Sequence, residues 1–200
     1  MIISKEYKFI FCHAAKTGGS SIRRALQKYH SFDRYSPALD NKGAIFDHAH
    51  LHVAMEYISP DEFTNFLKFG CVRNPWSLEV SRYFYIKKQF PMHPLSKMAR
   101  DLDFRSWVEW LYNERDGEMG IIKYFIIDGE MKLDHIIKCE RFEEGFNSLC
   151  NKLNLPQMEL PHANKTDHID YKKYYNKEAR DLVAKSYQHE IDMFKYTFDS

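Results

Sequence analysis

The sequence lacks the features that mark several large classes of protein. It has no apolar run near the roughly 20 residues needed to cross a bilayer, and charges at Lys5, Glu6 and Lys8 interrupt any signal-peptide core. The 29 basic residues are balanced by 28 acidic ones, for a formal net charge of +1, which argues against nucleic acid as the main partner. We therefore expect a cytoplasmic protein without a membrane span, unless the chain is trimmed from a membrane-anchored form.

Cysteine, glycine and proline are also scarce. With 8 glycines and 7 prolines in 200 residues, collagen-like and low-complexity architectures are excluded. None of the 4 cysteines forms a C-x-x-C pair, which argues against a zinc knuckle or a thioredoxin-type centre. Cys12, Cys71 and Cys139 lie in short apolar runs, so we predict buried, reduced thiols that act as small hydrophobic side chains.

The chain does have enough apolar material for a folded core, since 44% of its residues are hydrophobic and 16% are aromatic. Its length suits a single domain over residues 1–200. Short apolar runs typical of strands alternate with segments of helical spacing. The predicted strands cover residues 7–12, 68–73, 124–127 and 135–139. The predicted helices cover residues 18–29, 59–67, 74–89, 103–111, 143–153 and 176–194.

The predicted strands are apolar throughout rather than alternating, which is typical of a parallel sheet covered on both faces. We predict an α/β domain of three layers, with a central parallel sheet flanked by helices. Ligands of such sheets bind at the carboxyl ends of the strands. The residues that follow Cys12 and Val72 are therefore the first places to look for a site.

A glycine-rich loop follows the first predicted strand and precedes the first helix. It consists of Lys16, Thr17, Gly18, Gly19, Ser20 and Ser21. Two glycines let the backbone wrap closely around a bulky group, and the N–H groups at a helix start favour an anion. The loop is not a Walker A motif, because the lysine precedes the glycines. We interpret it as a phosphate cradle, with an ordinary helix-capping turn as the alternative.

A second candidate site follows the strand at 68–73. Arg73 ends this strand, and its guanidinium group can hold a phosphate with two hydrogen bonds. Ser81 lies about two turns into the following helix, from which its hydroxyl group could reach the same anion. The alternative is that Arg73 pairs with a carboxylate and that Ser81 only packs.

Together these segments resemble the sulfotransferases that use 3′-phosphoadenosine 5′-phosphosulfate (PAPS), with the closer likeness to the carbohydrate branch. The loop of that branch is similar to residues 15–21, with Ala15 in place of the usual proline. Val72-Arg-Asn-Pro75 and the later Ser81 match its second motif. Segments 136–142, 160–165 and 187–198 also look similar, so that the likeness covers most of the chain in the expected order.

The resemblance implies a P-loop-like fold, PAPS as the sulfuryl donor, 3′-phosphoadenosine 5′-phosphate as the product and no metal requirement. Residues 16–21 would bind the 5′-phosphosulfate, Arg73 and Ser81 the 3′-phosphate, and Lys165 would also contact the nucleotide. The acceptor would be a hydroxyl group, with a sugar or polysaccharide expected. One departure is Leu78, where the family often has arginine, so that either the 3′-phosphate contact is thinner or Arg82 compensates.

Three histidines alternate along one segment: His48, His50 and His52. In an extended chain they would point the same way, and zinc is the alternative ligand, although no further ligand cluster is evident. A neutral imidazole can take the proton of an attacking alcohol. The resemblance implies that a His-x-His pair is the catalytic base. By spacing we expect His50 as the base with His48 beside it, and His52 is an open third candidate.

Lys16 is the other expected catalytic residue. Its ammonium group would neutralise the charge that grows on the bridging oxygen of the leaving phosphate. The sulfuryl group would then pass in line, with positioning and electrostatics supplying most of the catalysis.

Other residues are candidates for acceptor contacts. A cationic set after the second site would line a groove for an anionic sugar chain, or would simply be solvated: Lys87, Lys88, His93, Lys97 and Arg100. Trp107 and Trp110 could stack on sugar rings, but their helical spacing favours the core.

Two other function classes compete with sulfuryl transfer. A P-loop nucleotide kinase would use an acidic strand end for Mg²⁺, which Asp128 imitates, but its Walker A loop is missing. A non-catalytic module would bind the nucleotide without transferring a group, and Leu78 leaves that alternative open.

Overall fold

A computed structural model describes residues 1–32, 48–114, 120–160 and 170–200. The chain divides into two compact units, one formed by residues 1–72 with 121–164 and the other by residues 73–120 with 165–200. Within the described ranges, no helix combines the length and the apolar character that a membrane crossing needs. The prediction that residues 1–200 form a single domain stays a prediction.

The described residues contain the predicted strands and helices with altered bounds. The strands are β1 Ile2–Ser4, β2 Phe9–Cys12, β3 Leu67–Val72, β4 Ile126–Ile127, β5 Glu130–Met131 and β6 His135–Lys138. The helices are α1 Gly19–Leu26, α2 Pro60–Asn65, α3 Pro75–Lys88, α4 Ser96–Asp101, α5 Phe104–Glu114, α6 Phe142–Lys152, α7 Lys177–Ser186 and α8 Gln188–Phe194. Among these, β1, β5 and α4 were not predicted.

The central sheet of the first unit has the order β1-β2-β3-β6. The strands β2, β3 and β6 are parallel, with Cys12 opposite Gly70 and Val72 opposite Lys138. The sheet is mostly parallel rather than wholly so, because β1 pairs antiparallel with β2. Only four residues join these two strands, and so short a connection can link only antiparallel neighbours.

Both faces of β2 are buried, which explains its unbroken apolar run. On one face, Phe9, Phe11 and Phe69 pack in a core with residues of α1 and α6. On the other face, a Cβ added to Gly70 would lie 2.7 Å from the ring of Phe125. The sheet is therefore covered on both sides, and the mixed α/β architecture is confirmed.

The helices of the second unit are tied together by capping and by buried polar contacts. The side chain of Asn74 accepts hydrogen bonds from the N–H groups of Trp76 and Ser77 at the start of α3 and donates to the carbonyl of Thr197 at 2.9 Å. Glu79 is buried and accepts hydrogen bonds from Arg82 and Tyr187. Asn74 is thus the N-cap of α3, and in the first unit Ser59 and Glu62 form a capping box at the start of α2.

Four predictions about local structure were wrong. The helix over 176–194 is two helices, because the backbone of Tyr187 leaves the helical conformation between α7 and α8. The strand over 124–127 shortens to β4, which pairs with β5 in a separate hairpin. The segment after Phe90, for which no helix was predicted, contains α4. Cys139 lies just beyond β6 and is partly exposed, although all four cysteines are free.

Asp128 and Gly129 explain the separate hairpin. Their φ angles are 53° and 80°, which is the pair of positive values that a two-residue hairpin turn needs. Asp128 is thus a turn residue of the β4–β5 hairpin and does not follow a strand of the central sheet. The Asp-Gly pair is a strong hairpin signal that our sequence analysis missed.

Candidate active site

The loop after β2 is built around two left-handed residues. Lys16 has φ 66° and Gly18 has φ 84°, a conformation that is uncommon for any residue with a side chain. The hydroxyl of Thr17 donates to the carbonyl of Ala14 at 2.9 Å and is buried. Thr17 therefore holds the turn closed from inside, while the predicted cradle residues from Lys16 to Ser21 lie where β2 passes into α1.

Glycine is required at positions 18 and 19 of this loop for different physical reasons. Gly18 is the N-cap of α1 and supplies the left-handed conformation. Gly19 lies in the helix, where an added Cβ would approach the ring nitrogen Nε2 of His13 to 2.7 Å. Gly18 could take a side chain only with strain and Gly19 only with a clash, so the turn into α1 depends on both glycines. Gly18 is partly exposed, whereas Gly19 is buried.

His13 occupies the space that Gly19 leaves open, and the sequence analysis did not identify it. Its side chain is only 4% exposed and stacks on the ring of Phe11 at a centroid distance of 5.7 Å. Its position could have identified it from the sequence, because His13 is the first residue after a strand that leads into a glycine-rich loop. His13 therefore forms the floor of the loop.

His48 docks directly on His13. The two rings lie 4.6 Å apart, and Nδ1 of His48 is 3.2 Å from the carbonyl oxygen of His13. A carbonyl oxygen can only accept a hydrogen bond, so this contact requires a proton on Nδ1. The neutral ring of His48 then carries its lone pair on Nε2, and the residue is exposed.

The thiol of Cys12 attaches the histidine segment to the end of β2. Its Sγ donates to the carbonyl of Ala49 at 3.5 Å and to that of Tyr124 at 3.3 Å. Burial raises the pKa of this thiol to about 12, so it stays protonated and remains a donor. Cys12 is buried, as predicted, but it acts as more than a small hydrophobic side chain.

His50 lies beside Tyr124, with ring centroids 4.8 Å apart. Burial lowers the pKa of His50 first, and the charges of His52 and Lys123 lower it further. The imidazole of His50 is therefore neutral near pH 7 and able to accept a proton.

The three histidines do not lie in one extended segment, in which they would have pointed the same way. His50 is the N-cap of a 3₁₀ helix over Leu51–Glu56, so that His52 belongs to a helical turn and is exposed. The rings of His50 and His52 lie 5.7 Å apart, whereas that of His48 lies against His13. Among the described residues, no three His, Cys, Asp or Glu side chains are grouped as metal ligands.

The second motif belongs to the other compact unit. Arg73 follows β3 directly, and its Nε and Nη2 atoms donate to the hydroxyl of Ser77 at 3.0 and 2.8 Å. Ser77 was not predicted, although its spacing of four residues from Arg73 was a usable signal. Ser81 is one helical turn further along α3 and is 2% exposed.

Leu78, which departs from the sulfotransferase pattern, and Arg82, which could compensate for it, both contribute to the fold. Leu78 is fully buried. Arg82 forms an ion pair with the buried carboxylate of Glu79, which holds its guanidinium group within the second unit. Lys165, the remaining predicted nucleotide contact, lies outside the described residues.

Comparison with known proteins supplies the family. Neither the curated proteins nor the solved structures contain a significant match to this chain. A sequence model described as the sulfotransferase family matches residues 1–197. That span contains both the glycine-rich loop and the Arg73 segment, and on this match the chain belongs to the sulfotransferase family.

Proposed function

We propose that the protein transfers a sulfuryl group from PAPS to a hydroxyl group of a carbohydrate, with a histidine as general base. The observation that carries the proposal is the pairing, at the end of β2, of a tight glycine turn at the start of α1 with a docked imidazole. The loop offers N–H groups and the ammonium of Lys16 for an anion, and His48 is held against its floor residue His13.

The nucleotide would be divided between the two motifs. Lys16, Thr17, Gly18, Gly19, Ser20 and Ser21 would bind the 5′-phosphosulfate, with Thr17 contributing its backbone because its hydroxyl is bonded to Ala14. Arg73 and Ser81 would bind the 3′-phosphate, and Lys165 would also contact the nucleotide. The donor set fits a polyanion, because it combines backbone N–H groups, hydroxyl groups and cations without a competing carboxylate in the loop. A P-loop-like fold would present these groups at strand ends.

The pair His48 and His50 would supply the base, and the contact with the His13 carbonyl favours His48 for the proton transfer itself. A base needs an accessible lone pair and a fixed ring, and the hydrogen bond on Nδ1 of His48 provides both. His50 is packed against Tyr124, which suits it to orienting the acceptor. This assignment exchanges the two roles that the spacing alone suggested.

The proposed sulfuryl transfer makes one bond to sulfur, breaks another and moves one proton. The acceptor hydroxyl loses its proton to imidazole Nε2 while its oxygen forms a bond to sulfur. The bond between sulfur and the bridging phosphate oxygen breaks, and 3′-phosphoadenosine 5′-phosphate leaves with the added negative charge. Lys16 would stabilise that charge as it develops.

The experiment that tests the proposal has two steps. Calorimetry with 3′-phosphoadenosine 5′-phosphate in the presence of a chelator should show binding that weakens as salt is raised. Single-turnover assays with radiolabelled PAPS and a panel of sugars and simple alcohols should show transfer. Binding without transfer to any acceptor would indicate a non-catalytic nucleotide-binding module, and the absence of binding would overturn the proposal.

A further inference from the structure

The connection between α3 and α4 forms an exposed apolar tip. We call residues 89–95 the α3–α4 tip. Met92 is 86% exposed and Phe90 is 45% exposed, and both prolines of the tip, Pro91 and Pro94, are also exposed. Single exposed apolar residues are common, but here consecutive ones protrude from a turn, so the tip is a candidate contact surface.

Cations surround this tip and acids are absent from it. No Asp or Glu occurs between Glu79 and Asp101, whereas that stretch contains five Lys or Arg residues. Arg82 pairs with Glu79 and Lys97 with Asp101, so Lys87, Lys88 and Arg100 are the cations that flank the tip. Lys88 is exposed at the end of α3, and the guanidinium of Arg100 lies 4.4 Å from the ring centre of Phe90. In a chain with a formal net charge of +1, this concentration makes the tip complementary to an anionic partner.

The apolar groups indicate which anionic partner fits best. A sugar chain gains most from an open aromatic face, but one face of Phe90 is covered by Arg100. Met92 projects an unbranched aliphatic side chain away from the fold. Apolar side chains at a protruding turn, flanked by Lys and Arg, suit insertion at the boundary between lipid headgroups and acyl chains.

We propose that the α3–α4 tip docks the protein onto an anionic lipid surface, with Phe90 and Met92 entering the interface and Lys88 and Arg100 contacting lipid headgroups. This inference goes beyond sulfuryl transfer and does not depend on it. It would place the enzyme beside acceptors that are themselves held at a membrane.

The test is co-sedimentation of the full chain with vesicles of phosphatidylcholine alone or mixed with phosphatidylserine. We expect binding to the mixed vesicles only, and weaker binding as salt is raised. Met92→Asp should lower the partition coefficient about tenfold or more, because a buried apolar side chain becomes a charge. Lys88→Gln should lower it about fivefold.

Met193→Asp is the matched control, since Met193 is 44% exposed in the same unit but lies outside the cationic stretch. It should bind vesicles like the unmodified chain, and circular dichroism should show that each variant folds. Transfer to a soluble acceptor should survive Met92→Asp, so that failure of docking and failure of the enzymatic proposal are separable.

Three results would overturn the docking proposal. The first is equal binding to neutral and mixed vesicles, and the second is vesicle binding that Met92→Asp leaves intact. The third is retention on dextran sulfate, insensitive to Met92→Asp and without vesicle binding, which would assign the surface to an acidic glycan.

Discussion

The two segments that follow the parallel strands β2 and β3 offer different kinds of group to an anion. After β2, the candidate donors are backbone N–H groups at the start of α1, in a turn where Gly18 supplies the left-handed conformation, Gly19 leaves room for His13 and the hydroxyl of Thr17 is turned inward. After β3, the site is made of side chains, with Arg73 braced by Ser77. A backbone cradle fails when a side chain is added, whereas a side-chain site fails when one is removed.

The largest effect should come from adding a methyl group to the backbone cradle. Gly19→Ala would press against the ring of His13, and overpacking of this kind costs about 1–3 kcal/mol. We expect a lower melting temperature and loss of nucleotide binding and transfer. Thermal denaturation and calorimetry measure these effects.

The control for Gly19→Ala is the double variant Gly19→Ala/His13→Ala, which removes the clashing ring. It should recover part of the stability. If Gly19→Ala alone melts and binds like the unmodified chain, the first turn of α1 does not depend on the contact with His13.

The next largest effect concerns the base. His48→Ala should lower single-turnover transfer by roughly two to four powers of ten while nucleotide affinity stays near normal. His50→Ala should cost less if it orients the acceptor, and the exposed His52 serves as the matched control. A fully active His48→Ala beside an inactive His50→Ala would return the base to the position that sequence spacing favours.

A smaller effect is the difference between Arg73→Ala and Lys16→Ala, which should affect nucleotide binding and kcat differently. Arg73→Ala should weaken nucleotide binding with little change in kcat, because its phosphate would not react. Lys16→Ala should lower kcat as well, since charge develops beside it in the transition state. The measurement is nucleotide affinity together with kcat at saturating donor for both variants. If both lose affinity equally and neither loses kcat, the proposed difference between the two sites is wrong.

The smallest effect is on the pH dependence of stability. Burial lowers the pKa of His50 below its ordinary value of 6.5, so the unfolded chain binds more protons than the folded one just below that pH. Stability should therefore fall as the pH drops through 6.5 toward the lower folded-state pKa. His50→Gln should flatten this slope in urea titrations at several pH values, leaving the part that the similarly shifted His135 contributes.

Much of the fold and the site could be predicted because it is local. The strand, glycine loop and helix at residues 9–26, the caps at Ser59 and Asn74, and the placement of Arg73 after a strand all follow from spacing and residue type. The break at Tyr187 could not be predicted, because it reflects a buried hydroxyl that bonds to Glu79. Helical periodicity continues through that residue, so periodicity alone predicted one helix.

The sequence by itself determined where most of the strands and helices lie and which residues follow the parallel strands β2 and β3, since these depend on near neighbours. Tertiary structure decided which groups meet. The thiol of Cys12 bonds to carbonyls 37 and 112 residues away, and the same packing sets His48 on His13 and makes Gly19 obligatory. Such contacts depend on the shape and hydrogen-bond geometry of parts that are distant in the chain, so they cannot be predicted from local periodicity.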